Sequence, residues 1–200
     1  MKNVPVLLII FRLLLAPIIL FLAYFQGKEQ SFVIVCLLFL GLLSDVFDGI
    51  IARNQGVSSA NLRRMDSQVD MIFWLSTGFA TYFMYPELIT AQKWAVLFLL
   101  SMELSCYVVS ILRFGKETCT HAYLSKLWGI TLLLAFSDLI LHGNAGVFFQ
   151  ICIVTGIVSH LDRILITLNL PNWQHDIPSA WHAFQIKRGR SITKFRLFNG

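Results

Sequence analysis

Six apolar stretches follow one another along the chain, at 4–25, 32–51, 71–85, 94–112, 124–141 and 147–168. Short linkers carrying charges and helix breakers separate them: 26–30, 54–65, 86–93, 114–123 and 142–146. A helix needs about 20 predominantly apolar residues to cross the hydrocarbon of a bilayer. Five stretches approach that length as they stand. The third is short, and it reaches it only by extending toward Asp66. The pattern predicts an all-α polytopic membrane protein with six transmembrane helices. The first stretch is expected to be a span and not a signal peptide. Its apolar run is too long, Arg12 interrupts it, and no small-residue cleavage site follows.

Composition strengthens this picture. Hydrophobic residues make up 56% of the 200 residues and charged residues 14%, against about 25% charged in soluble domains. One soluble core of this size could not hide so much apolar surface, whereas a bilayer serves as its solvent. We expect a six-helix transmembrane domain over residues 1–170 and a basic, aromatic tail over 171–200. The tail holds Trp173, Trp181 and Phe184 among polar residues, with five basic residues between Lys187 and Arg196. It is too short and too charged for a seventh span, and tryptophan favours the membrane interface. Its cations suit either anionic lipid head groups or an ordinary inner flank. No other feature points to nucleic acid.

Lysine and arginine set the orientation. With the N-terminus inside, the inner flanks carry twelve of them, including Lys2, Arg53, Arg63, Arg64, Lys194 and Arg196, while the outer loops carry Lys28 and Lys93. Both termini are therefore expected in the cytoplasm. Cys36, Cys106, Cys119 and Cys152 show no CxxC spacing and no pairing in an outer loop, so neither disulfides nor a zinc site are expected.

The acidic residues make the sequence specific. Asp45 and Asp48 lie three apart near the inner end of the second stretch, and Asp66 and Asp70 lie four apart where the third begins. Both spacings place side chains on one helical face. A short linker joins the two helices, so the two pairs share a depth and can face each other. Each ionised group costs at least about 2.5–3.5 kcal/mol inside a bilayer, and something must offset that. Carboxylate oxygens suit Mg²⁺, Mn²⁺ or Ca²⁺. Between the pairs, Gly49 and Ala52 keep the surface small and Arg53 offers a planar cation to phosphate oxygens. The combination describes a diphosphate site. Taken singly, Gly49 serves helix packing and Arg53 serves as an interfacial flank.

Asp45, Asp48, Gly49, Ala52, Arg53, Asp66 and Asp70 together match D-x2-D-G-x2-A-R-x8-G-x3-D-x3-D, the signature of the CDP-alcohol phosphatidyltransferases, which this chain resembles. Leu62 departs from it, standing where the family has its second glycine. Asn3-Val4-Pro5 and Arg12 resemble the family's first helix, with Val6 and Ile9 in place of polar residues. The resemblance implies the six-helix fold, one or two Mg²⁺ or Mn²⁺ ions held by Asp45, Asp48, Asp66 and Asp70, and Asp70 as general base. It implies that Gly49, Ala52 and Arg53 line the cytidine diphosphate pocket. It implies transfer of a phosphatidyl group from a CDP-alcohol, usually CDP-diacylglycerol, to a small alcohol or lipid acceptor with release of CMP. A homodimer in contact with membrane lipids is also implied. The active site is expected on the cytoplasmic side, in the inner membrane of a bacterium.

An acceptor that carries a phosphate needs a basic pocket. Arg113, Lys126 and Arg163 are the candidates, and each serves equally well as an interfacial anchor. Two other readings stand beside the transferase: a catalytically degenerate member of the family, and a cation-binding membrane protein or transporter using the same carboxylates. A transporter predicts inverted repeats and polar residues along a crossing path, whereas the aspartates gather on one side.

Overall fold

The structure is a computed structural model that describes residues 3–117 and 119–192. Lys2, Lys194 and Arg196 of the charge argument lie outside the described residues. The chain forms α1 (Val4–Phe25), α2 (Ser31–Asn54), α3 (Ala60–Met84), α4 (Pro86–Ala91), α5 (Lys93–Phe114), α6 (Tyr123–His142), α7 (Val147–Asn169) and α8 (Ala180–Lys187). No strand occurs among the described residues, and the protein is an all-α polytopic membrane protein. Among the described residues, five helical segments are long and apolar enough to cross a membrane: Val4–Phe25, Gly27–Asn54, Lys93–Phe114, Tyr123–His142 and Val147–Asn169. The sixth long helix, α3, has 25 residues, and the charges in its first three turns lower its apolar content below that of the other five.

The chain forms two compact units. One comprises Met1–Lys93 and Ile130–Cys152, the other Trp94–Gly129 and Ile153–Gly200. In the first unit α1 packs along both α2 and α3, which touch each other far less. The buried stripe of α1 is Pro5, Ile9, Arg12, Leu15, Ala16, Ile19 and Ala23, the three-and-four spacing of one helical face. Leu15, Ile19 and Ala23 meet Ile34 and Leu38 of α2 and Phe73, Ala80 and Met84 of α3 in one apolar core. The opposite face of α1 leaves Leu7, Leu14, Phe21 and Phe25 exposed, as a lipid-facing surface requires. Where α2 and α3 do meet, Gly41 makes room. A Cβ there would overlap the Phe73 ring.

Sequence also explains the short α2–α3 connection. Gly56 takes a left-handed φ of 66°, which glycine adopts without steric cost. The Val57 N–H then donates to Ala52 O at 3.0 Å and the Gly56 N–H to Arg53 O at 3.1 Å, the paired bonds that close a helix C-terminus. Three residues later Ser59 caps α3, its hydroxyl accepting from the Leu62 N–H at 3.2 Å. Buried hydroxyls inside the helices satisfy themselves locally. Ser44 donates to Gly41 O at 2.8 Å, Thr77 to Phe73 O at 2.9 Å and Thr81 to Thr77 O at 2.8 Å, because lipid offers no partner.

In the second unit the segment after α7 is tied down by its backbone. The Ile177 N–H donates to Thr120 O at 2.8 Å, the Tyr123 N–H to Pro178 O at 3.0 Å, and the Ala180 N–H to Asp162 Oδ1 at 2.9 Å. Ala122, Ile166, Leu170, Ile177 and Ala183 form the apolar cluster beneath.

Candidate active site

Three helices build the acidic centre. Position 12 falls in the buried stripe of α1, so the guanidinium of Arg12 points between α2 and α3. There it meets all four aspartates that the sequence singles out. Nη1 donates to Asp45 Oδ1 at 2.6 Å and to Asp70 Oδ1; Nη2 donates to Asp66 Oδ1 at 2.9 Å and to Asp48 Oδ2. Each nitrogen thus bridges α2 and α3. The two facing pairs do meet, and they meet through a residue of a third helix.

Burial divides the cluster into an inner and an outer half. The side chains of Arg12, Asp48 and Asp66 are 1%, 2% and 4% exposed, whereas Asp45 and Asp70 are 32% and 31% exposed. Asp70 therefore borders the accessible side, while Asp48 and Asp66 form the floor. A second guanidinium approaches the floor from α3: Arg63 Nη1 lies 3.9 Å from Asp66 Oδ2, and its Nε donates to Ser58 Oγ at 3.0 Å.

Gly49 and Ala52 are buried on α2 beside the aspartates. A Cβ on Gly49 would stand 3.3 Å from Arg53 Nη1, 3.6 Å from Arg53 Nη2 and 3.6 Å from Arg63 Nη1. Two guanidinium groups therefore converge over a bare stretch of helix backbone, an arrangement suited to phosphate oxygens. Arg63 was not among the expected phosphate-binding residues. Leu62, at the position of the family's second glycine, is half-buried in the first turn of α3.

The donor set fits a divalent cation. One carboxylate oxygen each from Asp45, Asp48 and Asp66 lie within 4.8 Å of one another. Hard cations hold such oxygens at about 2.0–2.6 Å, so three this close can surround one ion. Asp70 joins the same focus through Arg12.

The three expected acceptor-binding cations lie in the second unit, each within its own surroundings. Arg163 makes two hydrogen bonds to Glu103, at 2.6 Å to Oε2 and 3.1 Å to Oε1. Buried His160 joins the same carboxylate, its Nε2 lying 2.8 Å from Glu103 Oε2, while its Nδ1 faces Gly156 O. Arg113 Nη2 donates to Leu170 O at 3.0 Å. Lys126 lies in the first turn of α6.

Arg12 is the residue of the acidic centre that sequence reading undervalued. The signal was present: a lone arginine inside an apolar run must have a partner, because an isolated charge there is costly. The Glu103–His160–Arg163 group gave a weaker signal, since its members are 57 and 60 residues apart.

Fold and site together define a polytopic membrane protein whose first three helices gather carboxylates and guanidinium groups into one centre. The family model for CDP-alcohol phosphatidyltransferase matches residues 2–168, and the chain belongs to that family. Family membership supports transfer of a phosphatidyl group from a CDP-alcohol to an alcohol acceptor in a membrane, a reaction that generally depends on divalent metal. Among curated proteins and among solved structures, no match was found.

Proposed function

We propose that this protein transfers the phosphatidyl group of CDP-diacylglycerol to the hydroxyl of a small alcohol or lipid, releasing CMP. The observation that carries the reading is the convergence of Asp45, Asp48, Asp66 and Asp70 from two helices on one point. Asp45, Asp48, Asp66 and Asp70 would hold one or two Mg²⁺ or Mn²⁺ ions. Such ions supply a Lewis acid for the diphosphate oxygens and neutralise charge on departing CMP.

The residues of the chain do the rest. Arg53, beside the bare backbone at Gly49 and Ala52, binds and orients the donor diphosphate. Asp70, on the accessible side of the cluster, takes the proton of the acceptor hydroxyl at a carboxylate oxygen. The acceptor oxygen bonds to the β-phosphorus as the bond from that phosphorus to the CMP oxygen breaks. Positioning and charge stabilisation dominate such a transfer. Arg113 and Lys126 are the proposed acceptor-binding cations, together with Arg163, whose charge Glu103 already matches.

The catalytic part is proposed to span residues 1–170, with 171–200 as an interfacial tail. Exposed Trp181 and the cations Lys187, Arg188 and Arg190 support that division. The bias of Lys and Arg supports an active site on the cytoplasmic side, the membrane being proposed as a bacterial inner membrane, and family membership supports a homodimer.

The test is CMP release from CDP-diacylglycerol by the purified protein with Mg²⁺ or Mn²⁺. The acceptor panel should include neutral and phosphate-bearing alcohols. Release that depends on both metal and acceptor is expected. Folded protein that releases no CMP with any acceptor would overturn the reading.

A further inference from the structure

We propose that Arg12 is the resident counter-cation of the carboxylate cluster and competes with divalent metal for the same aspartates. The inference rests on the metal-dependent reading above and concerns what the ion must displace.

The geometry argues for competition. Arg12 Nη1 and Nη2 are bonded to carboxylate oxygens of all four aspartates. An ion held by those side chains would sit about 2.0–2.6 Å from their oxygens, at the focus that the guanidinium fills. Two cations there would share the same four carboxylates and repel each other. Asp48 and Asp66 are nearly closed off from solvent, so water cannot screen that repulsion.

Arginine keeps its charge at any working pH. Exchange therefore requires its side chain to move, since it cannot simply lose a proton. The other members of its buried stripe, Pro5, Ile9, Leu15, Ala16, Ile19 and Ala23, are all apolar. Within that stripe Arg12 is the cation that can compensate the aspartates. The metal affinity of the cluster therefore includes the cost of releasing Arg12, with the Arg63 guanidinium, 3.9 Å from Asp66 Oδ2, remaining beside the floor.

The experiment uses the full-length protein in detergent, stripped with chelator and titrated with Mn²⁺ while electron paramagnetic resonance reads the free ion. Arg12→Met is expected to bind Mn²⁺ on the order of tenfold more tightly than the parent. Arg12→Lys, with a shorter point charge, should fall between them. Equal or weaker binding by folded Arg12→Met overturns the proposal. Where Arg12→Met unfolds without metal, thermal unfolding decides. The rise in Tm between a low and a high Mn²⁺ concentration must then be larger for Arg12→Met than for the parent, and an equal or smaller rise, or failure to fold with Mn²⁺, overturns the proposal. If neither protein binds Mn²⁺, the metal-dependent reading falls as well; if both bind equally, the competition alone falls.

Discussion

Arg12 on α1 and Asp66 on α3 share a 2.9 Å hydrogen bond with both side chains almost wholly withdrawn from solvent. Removing Arg12 strands buried carboxylates, which typically costs about 3–5 kcal/mol, whereas removing Asp66 leaves Arg12 with Asp45, Asp48 and Asp70 and costs less. Arg12→Met and Asp66→Asn should each lower stability, and the double variant should lose less than the sum. A coupling of about 0.5–3 kcal/mol is expected for residues in one network. Reversible unfolding of the four proteins in detergent with chelator gives the cycle. Simple additivity would mean that the contact contributes nothing of its own to holding α1 against α3.

Asp70 occupies the opposite situation. It touches the same guanidinium from the accessible side, 31% exposed, and its loss leaves Arg12 bonded to Asp45, Asp48 and Asp66. Asp70→Asn should therefore leave the Tm near the parent's while CMP release falls by about 10²–10⁴-fold, the usual contribution of a general base. Retention of a substantial rate would remove Asp70 from the base role. A collapse in Tm would show that its role is structural.

The contrast between these aspartates marks what the sequence makes legible. Spacings of three and four put Asp45 with Asp48 and Asp66 with Asp70, and a short linker separates the two helices that carry them. The inward face of α1 was not legible. In a soluble helix, polar residues mark the outside, but in lipid both faces of α1 are apolar, so Leu7 and Ile9 read alike although one is exposed and the other buried. Only Arg12 distinguishes the buried face, and its partners lie 33 to 58 residues away. The start of α3 was hidden for a related reason. Arg63, Arg64, Asp66 and Asp70 pull hydropathy down over residues 60–70, yet the Ser59 cap and the paired charges make those residues helical. Pro86, expected only to break the chain, opens the short helix α4, since proline is well tolerated in a first turn.

Gly49 separates helix packing from ligand binding. Alanine in a helix interior is favoured over glycine by about 0.5–1 kcal/mol, and the new Cβ would meet only the ends of Arg53 and Arg63, at 3.3 Å and beyond. Those side chains can yield. Gly49→Ala should thus fold at least as well as the parent, while the displaced guanidinium groups bind the donor less well. The KM for CDP-diacylglycerol should rise by roughly tenfold, which corresponds to about 1.4 kcal/mol, with a smaller change in kcat. Steady-state kinetics with varied donor measure this. An unchanged KM would return Gly49 to a packing role.

Glu103 and Arg163 test the polar cluster of the second unit. Arg163 reaches both carboxylate oxygens of Glu103, at 3.1 and 2.6 Å, and buried His160 completes the group at 2.8 Å. Glu103→Leu leaves the guanidinium without its carboxylate and should destabilise the protein by about 3–5 kcal/mol. Glu103→Leu/Arg163→Met removes both charges and should recover most of that loss, because an apolar pair of similar size is often as stable as the ion pair it replaces. The same variants weigh the acceptor-binding role proposed for Arg163. If Arg163 binds an acceptor phosphate, the double variant should show a raised KM for phosphate-bearing alcohols and an unaltered one for neutral alcohols. If the arginine serves Glu103 alone, stability returns and neither KM moves. A double variant as unstable as Glu103→Leu would instead show that the stability of this region depends on packing around His160 more than on the ion pair.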